Sequence, residues 1–346
     1  VRMSGPNITV VGATGAVGQV VLSILEERNF PIGELRLLAS NRSAGSVLSV
    51  MGKELVVGET TPDSFNNTDI VFFAAGGSTS QSLAPEAVKR GAVVVDKSSA
   101  WRMDPTVPLV IPEINSEDIQ WHQGIISSPN CSTIVMLMAL APLHRVNPIK
   151  RIIVDTYQSA SGAGGKGVVE LMQQTQDALI QKATTHSIFP ATLAFNAIPQ
   201  VEEFGESGYT TEEIKMENEA RKIMHMPDLP VSATCVRIPV PVSHSEAVHI
   251  EFANHMSPKE AREVLSEFPG VHVIDDSAAE SYPLASFATG KDDIFVGRIR
   301  PDKAFRNGLS IWSVGDNLRK GAALNAVQIA ESLLANGFVD TNGNGR

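Results

Sequence analysis

Asn7-Ile-Thr-Val-Val11, then Gly12-Ala-Thr-Gly15-Ala-Val-Gly18, then the apolar-periodic Val20 to Leu25, predict a strand, a glycine turn and a helix in that order. A glycine turn at such a junction lets backbone N–H groups approach a pyrophosphate, and the positive end of the helix then faces the negative charge. The spacing of Gly12, Gly15 and Gly18 is Gly-x-x-Gly-x-x-Gly, not Gly-x-Gly-x-x-Gly, and an ordinary βα turn has the same composition. Its position at the first strand–helix junction favours nucleotide binding.

The alternation continues outward from there. Strands are predicted at Leu35 to Ala39, Ile70 to Ala75 and Val93 to Asp96, with a helix near Leu83 to Arg90. Strands alternating with helices imply an α/β, Rossmann-type doubly wound parallel sheet. The second strand ends in Ser40-Asn41-Arg42-Ser43. An NAD site usually places a carboxylate there for the ribose 2′-hydroxyl. Hydroxyls and an Arg suit a 2′-phosphate instead, so the expected cofactor is NADP; the bland alternative is a solvated turn.

From about Lys150 the texture changes to longer strand candidates: Arg151 to Tyr157, Ala233 to Val240, Ala247 to Phe252, Val271 to Asp275, Ile294 to Ile299 and Leu309 to Val314. Ser257-Pro258-Lys259-Glu260 is a helix start, with Ser as cap and Glu reaching back. An α+β second domain around a mixed sheet follows. A final amphipathic helix is expected over Ala322 to Ala335, and the Asn/Gly-rich Thr341 to Arg346 as a frayed tail.

Composition narrows the function class. The chain has 346 residues, 43% apolar and 19% charged, as expected of a globular protein of two domains. A net charge of −10 without a Lys/Arg cluster argues against nucleic acid. No apolar run approaches the roughly 18 residues of a membrane span. No CxxC or HExxH spacing calls for a metal. Two lone cysteines and no apolar signal core fit a reducing compartment, the cytoplasm or an organelle matrix.

The two cysteines differ in context. Pro129-Asn130-Cys131-Ser132-Thr133 precedes the apolar run Ile134 to Leu140, which places Cys131 in the first turn of a helix. Exposed N–H groups and the helix dipole favour a thiolate there. A thiolate attacks acyl carbon, and the thioester it forms accepts hydride. Cys235, inside an apolar strand run, fits a structural cysteine. Arg237 also sits in an apolar run, where a cation needs an anionic partner: a ligand or an internal carboxylate. Glu212 and Lys215 stand three apart on a predicted helix, Thr211 to Met224, and pattern alone favours a surface ion pair. Glu213 suits a capping box with Thr210. Ser161 to Gly165 has the composition of a phosphate cradle or of a flexible linker.

Taken together, Gly12 to Gly18, Ser98 to Arg102, Pro129 to Thr133, Tyr157-Gln158 with Ser161 to Gly164, Arg237 to His244 and Gly315 to Gly321 resemble the aspartate-β-semialdehyde dehydrogenase family. The likeness runs over nearly the whole chain, in order. It implies conversion of L-aspartyl-4-phosphate and NADPH to L-aspartate-4-semialdehyde, NADP and phosphate, on the route to lysine, methionine, threonine and diaminopimelate. It implies an NADP-binding domain over 1–130 completed by 316–340, a catalytic and dimerisation domain over 131–315, and a homodimer. By position, Cys131 corresponds to the acylated nucleophile, Gln158 to the residue that orients the substrate and His244 to the acid/base. Arg237 corresponds to the carboxylate clamp, Glu212 to the ammonium contact, and Arg102, Asn130 and Lys215 to the phosphate set. Thr14, Gly15, Ala16, Val17, Arg42, Ser43, Ser161, Gly162 and Asn317 resemble cofactor contacts. N-acetyl-γ-glutamyl-phosphate reductase shares the thioester logic but has its cysteine in Asn-Pro-Gly-Cys, unlike Pro-Asn-Cys-Ser-Thr here. A catalytically silent relative would lack Cys131 or His244, and both are present.

Overall fold

The computed structural model describes residues 5–339, and the predicted tail over Thr341 to Arg346 lies outside them. The described chain divides into two compact units, 5–129 with 322–339, and 130–321.

The first unit alternates strand and helix as its sequence requires. Its elements are β1 (Ile8–Val11), α1 (Ala16–Glu27), β2 (Leu35–Ala39), β3 (Val47–Val50), β4 (Lys53–Val56), β5 (Gly58–Glu59), β6 (Ile70–Phe73), α2 (Gly77–Lys89), β7 (Val93–Asp96), α3 (Pro112–Asn115) and β8 (Ile125–Ser127). Six of the strands form one parallel sheet in the order β5-β2-β1-β6-β7-β8. Every residue of β1, β6, β7 and β8 is buried, the pattern of a sheet covered on both faces. The order reverses direction at β1, so the crevice at the carboxyl ends of β1 and β6 is a topological switch point. The helix Leu324–Ala335 packs in the same core as α1 and β1. It starts later than the predicted Ala322 because Arg319–Ala323 is a π-helical turn.

Two features of this unit carried no recognisable signal. The β3–β4 hairpin turns on Met51 and Gly52, both with positive φ (52° and 70°), and Met-Gly lacks the Asn-Gly or Asp-Gly signature of that turn. The predicted strand to Ala75 ends at Phe73, where the chain turns towards α2.

The second unit contains α4 (Cys131–Val146), β9 (Ile149–Gln158), α5 (Gly165–Leu179), α6 (Thr211–Ile223), β10 (Val231–Arg237), β11 (His244–Phe252), α7 (Pro258–Ser266), β12 (Val271–Val273), α8 (Ala285–Ala288), β13 (Ile294–Pro301) and β14 (Gly308–Gly315). Its mixed sheet runs β10-β9-β11-β14-β13-β12, with parallel pairs at the two edges and antiparallel pairs between. Helix α4 is buried continuously from Ser132 to Leu143 and lies against the central strands, as an all-apolar helix must. Strand β10 stops at Arg237 rather than Val240, because Pro239 and Pro241 offer no N–H to a ladder. Ser161 to Gly165 is not a flexible linker: a 3₁₀ turn over Ala160–Ala163 leads through Gly164 (φ +82°) into α5. The sheet face bearing Ile153, Tyr157, Ala247 and Trp312 is only half-covered.

The glycine turn after β1 admits no side chain at two positions. A Cβ at Gly12 (φ +81°) would lie 2.5 Å from the carbonyl oxygen of Ala74, and one at Gly18 would lie 2.2 Å from that of Gly12. Gly18→Ala is therefore expected to destabilise the protein by about 1–3 kcal/mol in denaturant titration. Parent-like stability would show that the turn can open without cost.

Candidate active site

The site in the second unit grows from the start of α4. Asn130 is the helix cap: its Oδ1 accepts from the N–H groups of Ser132 (2.9 Å) and Thr133 (3.3 Å). The same side chain reaches the other way, Nδ2 donating to both oxygens of Glu212 at 3.0 Å. Its backbone N–H donates to Glu219 Oε2 at 2.6 Å. Cys131, half-buried, is thus the first residue of a capped helix whose dipole favours a thiolate.

His244, the first residue of β11, is fully buried, and its Nε2 lies 3.3 Å from Cys131 Sγ. The opposite nitrogen, Nδ1, is 3.1 Å from both the backbone N and the hydroxyl oxygen of Ser159. The residue before it, Ser243, is buried with φ +77°, an uncommon conformation for a residue with a side chain. Its N–H donates to Asn317 Oδ1 at 2.9 Å and its hydroxyl shares a bond with Thr289 Oγ1. Ser159 and Ser161 also donate to Asn317 Oδ1, at 3.2 and 3.0 Å, so the carboxamide is oriented with Nδ2 left free of protein partners among the described residues.

The ends of β9 and β10 supply the next layer, since Gln158 and Arg237 are register partners. Gln158 accepts from Thr156 Oγ1 (3.0 Å) and donates to Glu212 Oε1 (3.0 Å), which fixes its amide. Arg237 is buried, donates through Nη1 to the carbonyl of Ser159 (2.6 Å) and packs over the ring of Phe189. It makes no ion pair with a carboxylate among the described residues, so the internal salt bridge is not what balances it. Burial pulls its pKa below the usual guanidinium value, with the charge of Glu212 as the largest opposing influence. Gly162 leaves room for that guanidinium: a Cβ there would lie 2.6 Å from Arg237 Nη1 and 3.3 Å from His244 Cε1.

Lys215 does pair with Glu212 (3.6 Å), and also with Glu202, but the pair is not a surface one. Glu212 is buried between Asn130, Gln158 and Lys215. Glu213 completes the expected capping box with Thr210. Cys235 is sealed in β10, and burial pushes its thiol far above its ordinary pKa.

The remaining sequence-selected residues belong to the first unit. Gly15 caps α1 without a side-chain bond, so the N–H groups of Ala16, Val17 and Gly18 open the helix free of a competing side chain, with Thr14 just before. Ser40 and Arg42 are exposed after β2, and Ser43 is half-buried. Arg102 is buried and donates to the carbonyls of Ser128 (3.1 Å) and Lys97 (2.8 Å).

Sequence reading passed over Ser159, Ser243, Glu219 and Glu246. The last had a usable signal: it stands two residues after His244 on one strand and so shares its face. Glu246 is fully buried with no hydrogen-bond partner on either carboxyl oxygen, and burial, then the charge of Glu212, hold its pKa well above the ordinary value. Among the described residues no group of three or more His, Cys, Asp or Glu is placed to hold a metal, and no helix is long and apolar enough to cross a membrane.

A doubly wound nucleotide-type unit, with a thiol–imidazole pair built on a separate mixed sheet, defines the class as an NAD(P)-binding oxidoreductase. Residues 7–122 match the family model of the semialdehyde dehydrogenase NAD binding domain, and residues 140–320 that of the semialdehyde dehydrogenase dimerisation domain. The chain belongs to the aspartate-semialdehyde dehydrogenase family, enzymes of amino-acid biosynthesis. It is similar to the aspartate-semialdehyde dehydrogenases of Bacillus subtilis (strain 168), 52% identical with 95% of this chain and 97% of that one covered, and of Aquifex aeolicus (strain VF5), also 52%, covering 97% and 100%. Among solved structures, aspartate semialdehyde dehydrogenase II complexed with ASA from Vibrio cholerae superposes with a TM-score of 0.93 at 42% identity, covering 96% and 98% of the two chains. The Candida albicans enzyme with NADP gives 0.77 at 25%, covering 96% and 99%.

Two outcomes follow from the burial pattern. Iodoacetamide is expected to label Cys131 alone in the native protein, with Cys235 reacting only after denaturation, as peptide mass spectrometry would show. Because folding raises the pKa of Glu246, the stability its neutral form contributes is present below the unfolded value and is lost as pH rises towards the folded one. Glu246→Gln is expected to match the parent in thermal midpoint at about pH 4 and exceed it at about pH 8; a less stable variant at the higher pH would contradict a neutral buried carboxyl.

Proposed function

We propose that this chain is the phosphorylating, NADP-dependent aspartate-semialdehyde dehydrogenase of the route to lysine, methionine, threonine and diaminopimelate. In the biosynthetic direction it reduces L-aspartyl-4-phosphate to L-aspartate-4-semialdehyde and releases phosphate. The observation that carries this is the 3.3 Å approach of Cys131 Sγ to His244 Nε2 at the start of a capped helix.

The Cys131 thiolate attacks the acyl carbon, the carbon–oxygen bond to phosphate breaks, and a thioester remains on the sulfur. Arg237, a buried fork without a carboxylate partner, takes the substrate carboxylate. Glu212 meets the substrate ammonium, in a pocket where Gln158 holds the acyl group in line with the sulfur. Asn130, Lys215 and Arg102 receive the phosphate. His244 handles the proton at Nε2, beside the sulfur and the oxygen that becomes charged.

The residues present fit a dinucleotide. The glycine turn closes too tightly for side chains at Gly12 and Gly18, and α1 begins without a side-chain cap. Ser40, Arg42 and Ser43 offer donors and a cation, and no carboxylate stands among them to repel a 2′-phosphate. Ser161, Gly162 and Asn317, with its free Nδ2, would hold the nicotinamide end. When bound, the cofactor supplies the hydride that reduces the thioester. We assign cofactor binding to 1–130 completed by 316–340, and catalysis with homodimer formation to 131–315, the half-covered face of the mixed sheet being the surface offered to a second copy.

A phosphate-dependent assay on aspartate semialdehyde, with NADP and NAD side by side, tests the reading. Turnover is expected with NADP in clear preference, and none with N-acetyl-glutamate semialdehyde. Cys131→Ser is expected to lower kcat by at least about 10³-fold with cofactor binding intact; parent-like turnover would end the thioester mechanism. Arg237→Lys, and Gly162→Ala through displacement of the fork, are each expected to raise the substrate KM about tenfold or more. An unchanged KM in both would remove Arg237 from the carboxylate.

A further inference from the structure

We propose that Gly321 is a positioning residue for Cys131, and that the segment Asp316 to Gly321 is the gauge that spaces the sulfur from the imidazole of His244. The inference rests on the reading of Cys131 as the nucleophile and names the contact that holds its side chain.

The Asn130 cap fixes the backbone at the start of α4 but leaves the thiol to its neighbours. On its sulfur it meets His244 Nε2 at 3.3 Å. On its carbon it meets Gly321: a Cβ added there would lie 3.0 Å from Cys131 Cβ and 3.5 Å from Cys131 Cα. Two carbons prefer about 3.5–4.0 Å, so the first of these separations is repulsive. Gly321 is buried, and its φ lies outside the left-handed region. An alanine could therefore adopt its backbone conformation. What excludes a methyl there is the closeness of the nucleophile.

The segment that presents Gly321 is pinned along its length. The carbonyl of Asp316 accepts from the Gly321 N–H at 3.1 Å, a span of five residues that matches the π-helical turn over Arg319–Ala323. Asp316 Oδ1 accepts from the N–H groups of Leu318 (2.8 Å) and Arg319 (3.1 Å), and Oδ2 from that of Gly290 (2.7 Å). Arg319 Nε donates to Asp292 Oδ1 at 2.6 Å. Between them, Asn317 accepts from the N–H of Ser243, the residue before His244. One short segment thus locates His244 through Asn317 and Cys131 through Gly321. The imidazole is tied separately at Nδ1 by Ser159, so it does not follow a sulfur that is pushed aside.

A methyl on Gly321 meets a turn braced by Asp316 and a helix start braced by Asn130, and the softest part between them is the thiol. A displacement of a few tenths of an ångström spoils the line from sulfur to acyl carbon and the contact through which His244 takes the thiol proton. The carboxylate clamp at Arg237 is untouched by the change, so substrate affinity is separable from thiol position.

Gly321→Ala is expected to lower kcat about tenfold or more, with the KM for aspartate semialdehyde and the affinity for NADP within about twofold of the parent. Alkylation of Cys131 by iodoacetamide in the free enzyme at neutral pH should slow about fivefold, the effect of losing one hydrogen bond to the sulfur. A folded variant with the parent kcat or the parent alkylation rate would overturn the proposal, as would a KM that rises in step with the fall in kcat. Should Gly321→Ala not fold, Asp316→Asn, which breaks the bond from Gly290, decides by the same readouts: slower alkylation at the parent KM supports the gauge, and the parent rate overturns it. Alkylation needs no turnover. If Cys131→Ser retains turnover while Gly321→Ala still slows alkylation, the thioester reading fails and the contact stands.

Discussion

One carboxamide ties two helices of the second unit together. Asn130 faces α4 with its oxygen, where it satisfies two N–H groups of the first turn, and faces α6 with its nitrogen, where it binds Glu212. An asparagine that caps a helix usually spends only its acceptor. Here the donor side is also used, so the position of Cys131 and the position of the buried acid on α6 are set by the same planar group. Gln158 repeats the device from β9, accepting from Thr156 and donating to Glu212. Two amides with fixed orientation thereby tie the carboxylate of Glu212 to the start of α4 and to the end of β9.

The buried charges of this unit are unevenly partnered. Glu212 is hydrogen-bonded by two amides and paired with Lys215, whereas Arg237 has a carbonyl and an aromatic face but no carboxylate among the described residues. Burying a cation in this way is costly unless an anion arrives. Glu246 is fully buried on β11, and burial, then the charge of Glu212, favours its neutral form. The site is thus short of one negative group where a dicarboxylic acid derivative would bring one.

Much of this was legible in the chain. The first strand, the glycine turn, the alternation into a parallel sheet and the start of α4 at Cys131 follow from local pattern, because each is fixed by near neighbours in sequence. The end of β10 was misjudged by a few residues through giving apolar character more weight than the missing N–H groups of Pro239 and Pro241. Helix α5 was hidden by its glycine-rich approach, and the β3–β4 turn by a Met in a left-handed conformation. At the site, the residue types of Cys131, His244 and Arg237 were visible, but their partners were not. That Glu212 is buried rather than on the surface depends on strands β9 and β10 meeting α4 and α6. Ser159 draws its meaning from an imidazole 85 positions away in sequence. Such contacts are properties of the folded chain, and a single sequence holds no local trace of them.

The pairing of Tyr157 with Trp312 on the half-covered sheet face, ring centroids 5.3 Å apart, has an optical corollary. The chain has three tryptophans, and the other two, Trp101 and Trp121, belong to the first unit. Emission from the second unit therefore comes from one indole, quenched or released by whatever happens on that face. Tyr157 is covalently next to Gln158, so the same fluorophore pair sits one peptide bond from a residue proposed to bind substrate. Nature has in effect left a spectroscopic label between the surface where copies would meet and the chamber where the acyl group would lie.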